Sequence, residues 1–100
     1  MNVIADSDGN LQVTGLDRLS ASNCADFKQL VQLRLTEKTG IVELDCAGLE
    51  FVDSEGLGAL IVIHKWLAGR SGRVRLVRPT PLLRQLLRLL RLEEIFEITA

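Results

Sequence analysis

Residues 41–67 run IVELDCAGLEFVDSEGLGALIVIHKWL, and their reading decides the fold class. Ile41-Val42-Glu43-Leu44-Asp45 is a β-branched run behind the turn pair Thr39-Gly40, the pattern of a strand. Gly48 permits a loop. Phe51-Val52 then leads into Asp53-Ser54-Glu55-Gly56, and a helical pattern runs from about Gly56 to Leu67, where Gly69, Ser71 and Gly72 break it. A strand, a loop and a long helix in that order are the first half of a βαβ unit.

The flanks repeat the alternation. Upstream, Val3–Ala5 and Leu11–Thr14 bracket Ser7-Asp8-Gly9-Asn10, a hairpin signal because glycine takes positive φ without steric cost. Ser22 or Asn23 is placed to cap a helix carrying Phe27, Leu30, Val31 and Leu35 on one stripe. Downstream, Val74–Val77 alternates with basic residues and reads as a strand that Arg78-Pro79 ends. Thr80-Pro81 is an N-cap followed by proline at the first helical position. Leu82, Leu83, Leu86, Leu87 and Leu90 then form an apolar stripe, with Arg84, Arg88 and Arg91 opposite. Ile95–Ile98 reads as a last strand or a helical turn. The expectation is an α/β fold: a small, mostly parallel mixed sheet, an N-terminal hairpin and successive βα units, in one domain over residues 1–100.

Composition narrows the function. With 47% apolar and 25% charged residues, the 100-residue chain is neither disordered nor low-complexity. Its two cysteines, Cys24 and Cys46, have no CxxC spacing, which argues against a disulfide scaffold or a cysteine zinc site and for a reducing cytoplasm. No basic-then-apolar leader opens the chain, so secretion is not expected. The longest uninterrupted apolar run, Ala59–Ile63, is far short of a membrane span. A net charge of −1 argues against general nucleic-acid binding. That charge is split: residues 1–63 hold ten acids and four bases, and residues 64–100 hold eight bases and three acids.

The decapeptide Phe51–Leu60, FVDSEGLGAL, resembles the signature loop of STAS domains, the family of anti-sigma factor antagonists. DRLSASNCADF resembles the family's segment before its first helix, and IVELDCAGLEF the strand entering the loop. RVRLVRPTPLLRQLL and LEEIFEI resemble its last strand, last helix and tail. The resemblance implies a small mixed sheet with helices wound as βα units, a non-enzymatic module and no cofactor. It implies that Ser54 is phosphorylated by a partner that is both anti-sigma factor and serine kinase. Unphosphorylated antagonist binds that partner, phosphorylation ends the binding and a phosphatase restores it. Asp53 matches the aspartate before the acceptor. Glu55 departs from the small residue the family often carries there. The expected partner surface comprises Asp53, Ser54, Glu55, Gly56, Gly58, Val62 and Trp66, on a monomer or weak homodimer in the cytoplasm. A second reading of the same resemblance is an accessory subunit of a phospholipid-transporting ABC system. It would bind the transporter on its cytoplasmic side without inserting into the membrane, and Ser54 would be a contact there.

Other patterns have plainer readings. Ser54 also reads as a helix N-cap. Gly56 and Gly58 start a G-x-G-x-x-G pattern, but Ile61 occupies its third glycine position and the entry is acidic, unsuited to pyrophosphate. Asp53, Ser54 and His64 are the residue types of a hydrolase triad. Ten helical positions separate Ser54 from His64 by about 15 Å, where catalysis needs about 3 Å. His64 reads as a core-edge residue. Trp66 falls near Ala59 and Val62 on the wheel, either an exposed interface anchor or cover for the helix edge. The three arginines read as a solvated face, and the cysteines as small core residues. Asp6, Asp8 and Asp17 lack the glutamate of a calcium loop.

Overall fold

The computed structural model describes all 100 residues. Seven strands and three α-helices alternate along the chain: β1 (Asn2–Ala5), β2 (Leu11–Thr14), β3 (Arg18–Leu19), α1 (Cys24–Arg34), β4 (Ile41–Asp45), β5 (Phe51–Val52), α2 (Ser54–Ala68), β6 (Arg73–Val77), α3 (Pro81–Leu89) and β7 (Glu97–Thr99). A 3-10 turn, Leu92–Glu94, precedes β7, so the 95–98 segment is reached through a turn and ends in a strand. The main sheet has the order β1-β2-β4-β6-β7. β1 and β2 form the expected antiparallel hairpin, and every other pairing is parallel.

The hairpin turn follows from local chemistry. The Asp6 carboxylate accepts from Asp8 N (2.8 Å) and Asn10 N (3.1 Å). Gly9 sits at φ 86°, where a side chain would be strained.

From β2 onward the strand order advances in one direction across the sheet. Right-handed crossovers therefore place α1, α2 and α3 on the same face. Strand alternation records the result. Leu11 and Val13, Val42 and Leu44, and Val74 and Leu76 point into a core of twenty buried apolar residues that also includes Phe27, Leu60, Ile63 and Leu87. The opposite face carries Gln12, Glu43, Arg75 and Glu97. There Arg75 lies across the register from both glutamates, donating to Glu97 at 2.7 Å and Glu43 at 3.1 Å. Each of these groups keeps about a third of its side chain in water, so the ladder adds little to stability.

α1 differs from expectation in two places. Phe27 and Val31 are buried, but Leu30 stays 39% exposed and Leu33 72% exposed. Asn23 occupies the cap position without capping. Its side chain turns back, accepting from Ser20 N (2.9 Å) and donating to Arg18 O (2.8 Å). At α3 the expected cap forms, with Thr80 Oγ1 accepting from Leu83 N at 3.2 Å. No helix is long and apolar enough to cross a membrane.

Cys46 is fully buried, while Cys24 is only half-buried. Burial, with help from the Asp45 carboxylate, pushes the Cys46 thiol from 9.0 to about 12. Only the thiolate attacks electrophiles. Near neutral pH a thiol reagent is thus expected to titrate one cysteine of the native chain, Cys24. Cys46 should react roughly a thousandfold more slowly than an ordinary thiol until the chain is unfolded. Counting reacted thiols before and after adding denaturant checks this; two fast equivalents in the native protein would contradict it.

Candidate functional site

The site forms where α2 begins. Two short strands lie beneath it: β3 pairs in parallel with β5, Arg18 opposite Phe51 and Leu19 opposite Val52. The chain leaves β5 at Asp53, whose backbone N–H donates to Leu19 O at 3.3 Å. The Asp53 carboxylate then binds in two directions. Oδ1 accepts from Gly56 N at 2.8 Å and caps α2. Oδ2 accepts from Ala21 N at 3.0 Å, in the loop before α1. One side chain thereby joins the starts of two helices.

This geometry corrects the assignment of the cap. Asp53, not Ser54, is the N-cap, and Ser54 is the first residue of α2, two positions ahead of the expected start. Because Asp53 takes the capping role, the Ser54 hydroxyl is left free of it and stands exposed beside the exposed Glu55. Gly56 lies underneath. It is buried, and a methyl group there would overlap the Leu19 carbonyl oxygen and come within 2.6 Å of the carbonyl carbon. Gly58, one turn above Ser54, has nothing within 4 Å of the place a methyl group would take, so the surface over it is open.

The gathered amides hold the Asp53 carboxyl below its ordinary 3.8, Gly56 N–H contributing most and Ala21 N–H next. A carboxyl with a lowered folded pKa stabilises the fold above its unfolded pKa and loses that effect as pH falls through the folded value. Asp53→Ala is therefore expected to melt several degrees below the wild type at pH 7, with the gap closing below about pH 4. Thermal melts of both proteins from pH 7 to pH 2 measure this; a gap independent of pH would remove the charge from the account.

The remaining candidates lie farther along α2. Val62 and Trp66 share one flank, and Trp66 is about 18 Å of helical rise from Ser54. Trp66 is half-buried against the core and is not the exposed anchor that the sequence allowed. His64 packs at the core edge with its ring 6.2 Å from that of Phe96 in an edge-to-face arrangement, and its Nδ1 is buried without a hydrogen-bond partner. Arg84 and Arg88 are exposed on α3, and Arg91 is exposed in the turn after it, so the expected three-arginine helical face keeps two.

Two apolar residues beside the site were missed in the sequence. Phe51 is 53% exposed and Leu82 72% exposed. With Leu49, Val52, Leu83 and Leu86 they line a groove of about 50 Å³ between β5 and α3. Leu82 looked like part of the α3 core stripe, and the available signal was its place at the stripe's margin, where i, i+4, i+7 spacing with Leu86 and Leu89 marks a second face. Ala21 was also missed, since a backbone donor leaves no trace in residue type.

The family model described as "Mlab, STAS domain" matches residues 2–98. The structure is similar to that of an anti-sigma factor antagonist from Thermotoga maritima, with a TM-score of 0.86 and 24% identity, covering 99% of this chain and 85% of that one. It is similar to the anti-sigma factor antagonist SpoIIAA in its unphosphorylated form, with a TM-score of 0.83 and 15% identity over 99% of this chain and 87% of that one. It is also similar to the Bacillus cell fate determinant SpoIIAA in the phosphorylated form, at 0.77 and 15% over 99% and 90%. At these identities the likeness is one of fold. No curated protein matches the chain.

Proposed function

The chain belongs to the STAS domain family, and from that premise we propose that it is an anti-sigma factor antagonist that works by partner switching. With Ser54 unmodified it binds an anti-sigma factor that is also a serine kinase. The kinase moves the γ-phosphoryl group of ATP to Ser54 Oγ, the complex dissociates, and a phosphatase resets the serine. The domain itself is a binding module and a kinase substrate, not an enzyme, and it acts in the cytoplasm.

One observation carries this reading: the serine at the head of α2 is exposed with its hydroxyl uncommitted, because the aspartate before it does the capping. A serine tied into the cap could not be modified without breaking the helix start. The surroundings suit a switch. A phosphate at Ser54 adds about −1.5 to −2 charge at neutral pH, and a helix N-terminus tolerates it. The similarity of this fold to both the phosphorylated and unphosphorylated forms of SpoIIAA agrees with a fold that carries the group without rearranging. A docked partner would meet that charge beside Asp53 and Glu55, where repulsion and desolvation oppose binding. We assign the docking surface to Ser54, Glu55, the open helix face over Gly58, and Val62, extended by the Phe51–Leu82 groove. Asp53 and Gly56 shape the surface from beneath, and Trp66 lies at its far limit.

The test is a pull-down from native cells with wild-type chain as bait, read by mass spectrometry together with the modification state of endogenous Ser54. Capture of a protein with a serine-kinase fold, and phosphate on Ser54, are the expected results. Permease and ATPase subunits in the catch, with Ser54 unmodified, would overturn the proposal in favour of a transporter accessory role.

A further inference from the structure

The main sheet has two edges, and they are built differently. β7 is a three-residue strand whose Glu97 is tied to Arg75. β1, Asn2-Val3-Ile4-Ala5, has none of the usual guards of a free edge: no lysine, no proline, no bulge and no charge.

The hydrogen-bond phase of β1 follows from its turn. Asp6 N donates across to Asn10 O, so Asp6, Ile4 and Asn2 direct their N–H and C=O groups toward β2. Val3 and Ala5, in the alternate phase, direct theirs away from the sheet. Apart from Asn2, the side chains along the edge are apolar on both faces. Ile4, opposite Gln12 on the open face of the sheet, is 55% exposed. On the helix face, Met1, Leu30 and Leu33, together with Asp26 and Gln29, border one groove along α1, and Leu33 is 72% exposed. A bare strand edge and a largely apolar helix flank thus lie side by side.

We infer that this edge is where two copies of the chain join, β1 pairing antiparallel with β1 of the second copy about a two-fold axis through Ile4. The strand is self-complementary in that register. Val3 of each copy faces Ala5 of the other as a hydrogen-bonded pair, which makes four intermolecular N–H···O=C bonds. Ile4 meets Ile4 as the closer, non-hydrogen-bonded pair. Asn2 comes opposite Asp6 of the second copy, an amide facing a carboxylate. Above this seam the two α1 flanks approach, and Leu30 and Leu33 of each copy cover one another. The arrangement is isologous and closes at two copies, whereas pairing β1 with β7 of another copy would propagate without end. It leaves Ser54 outside the seam and does not depend on the function proposed above.

The test is sedimentation equilibrium from low micromolar to millimolar concentration. The wild type is expected to move from 11.1 kDa toward twice that mass. Ala5→Pro removes an outward N–H that β2 does not use, and a two-fold axis counts the loss twice. It should weaken association roughly a hundredfold with an unchanged far-ultraviolet spectrum. Leu33→Lys, at an exposed position, should weaken it as well. Amide exchange gives a second readout: Val3 and Ala5 should gain protection as concentration rises. A single 11.1 kDa species up to millimolar concentration overturns the inference, and so does a dimer that survives both substitutions.

Discussion

Gly56→Ala is expected to lower the melting temperature by about 12–24 °C and to take partner binding down with it. The third residue of α2 rests on the backbone of β3, and an alanine methyl has nowhere to go, because what it meets is the carbonyl of Leu19, which no rotamer change can move aside. Either α2 lifts away or β3 separates from β5. Lifting α2 disturbs the packing of Leu57, Leu60 and Ile63, all of them core residues. Separating the strands loses the Asp53–Leu19 backbone bond and drags the Ala21 loop from the Asp53 carboxylate. Overpacking of this kind costs about 3 kcal/mol, in a domain whose whole stability is about 5–15 kcal/mol. Each kcal/mol is worth about 4–8 °C at this size. Gly58→Ala is the matched control: the same substitution two residues further along the helix meets open space, and alanine is the better helix former by about 1 kcal/mol. Calorimetric melts of the two variants should move in opposite directions. If Gly56→Ala melts within about 2 °C of wild type, the close approach of α2 to Leu19 is wrong.

Ser54→Asp is expected to weaken the partner complex more than a hundredfold while changing stability by less than about 1 kcal/mol. The two effects separate because of where the charge stands. At the first residue of α2 it faces free amides and the positive end of the helix dipole, which offsets its repulsion with Asp53 and Glu55. In the free protein water screens what remains. In a complex the water is gone, and the added carboxylate is enclosed with two others. A loss of about 3 kcal/mol, modest for an enclosed charge, is already more than a hundredfold in affinity. Ser54→Ala should bind like wild type and resist release by ATP. Titration calorimetry of the three proteins against the captured partner decides the matter. Affinity of Ser54→Asp within about threefold of wild type would remove Ser54 from the docking surface.

Much of this architecture is legible in local chemistry. Leu11–Thr14 and Ile41–Asp45 have the bounds their β-branched and turn residues announce, and Thr80-Pro81 starts α3 as its residue types require. What escapes is decided across long sequence separations. β3 and β5 are two residues each, too short for any period to show, yet they position the site. Asp53 and Ser54 are both good cap residues, so composition could not choose between them. The choice is made by Ala21 N, thirty-two residues away, which holds the aspartate in place. Leu30 fits the α1 stripe as well as Phe27 does, but only Phe27 faces the sheet; Leu30 faces past its edge. Ser54 and its glycines were readable as a string. The groove formed by Phe51 and Leu82 was not, because its walls come from separate elements.

In the switch proposed above, the bond from Asp53 to both helix starts would also set the tempo. A switch whose joint must open and refold carries an internal delay, set by segment motions on the microsecond-to-second scale. Here the joint is held by hydrogen bonds to Gly56 N, Ala21 N and the Leu19 carbonyl. A phosphate written at its rim under that proposal would work as a stamp on a plate. The response time would then belong to the enzymes that apply and remove the mark and to the lifetime of the complex, the domain adding no clock of its own.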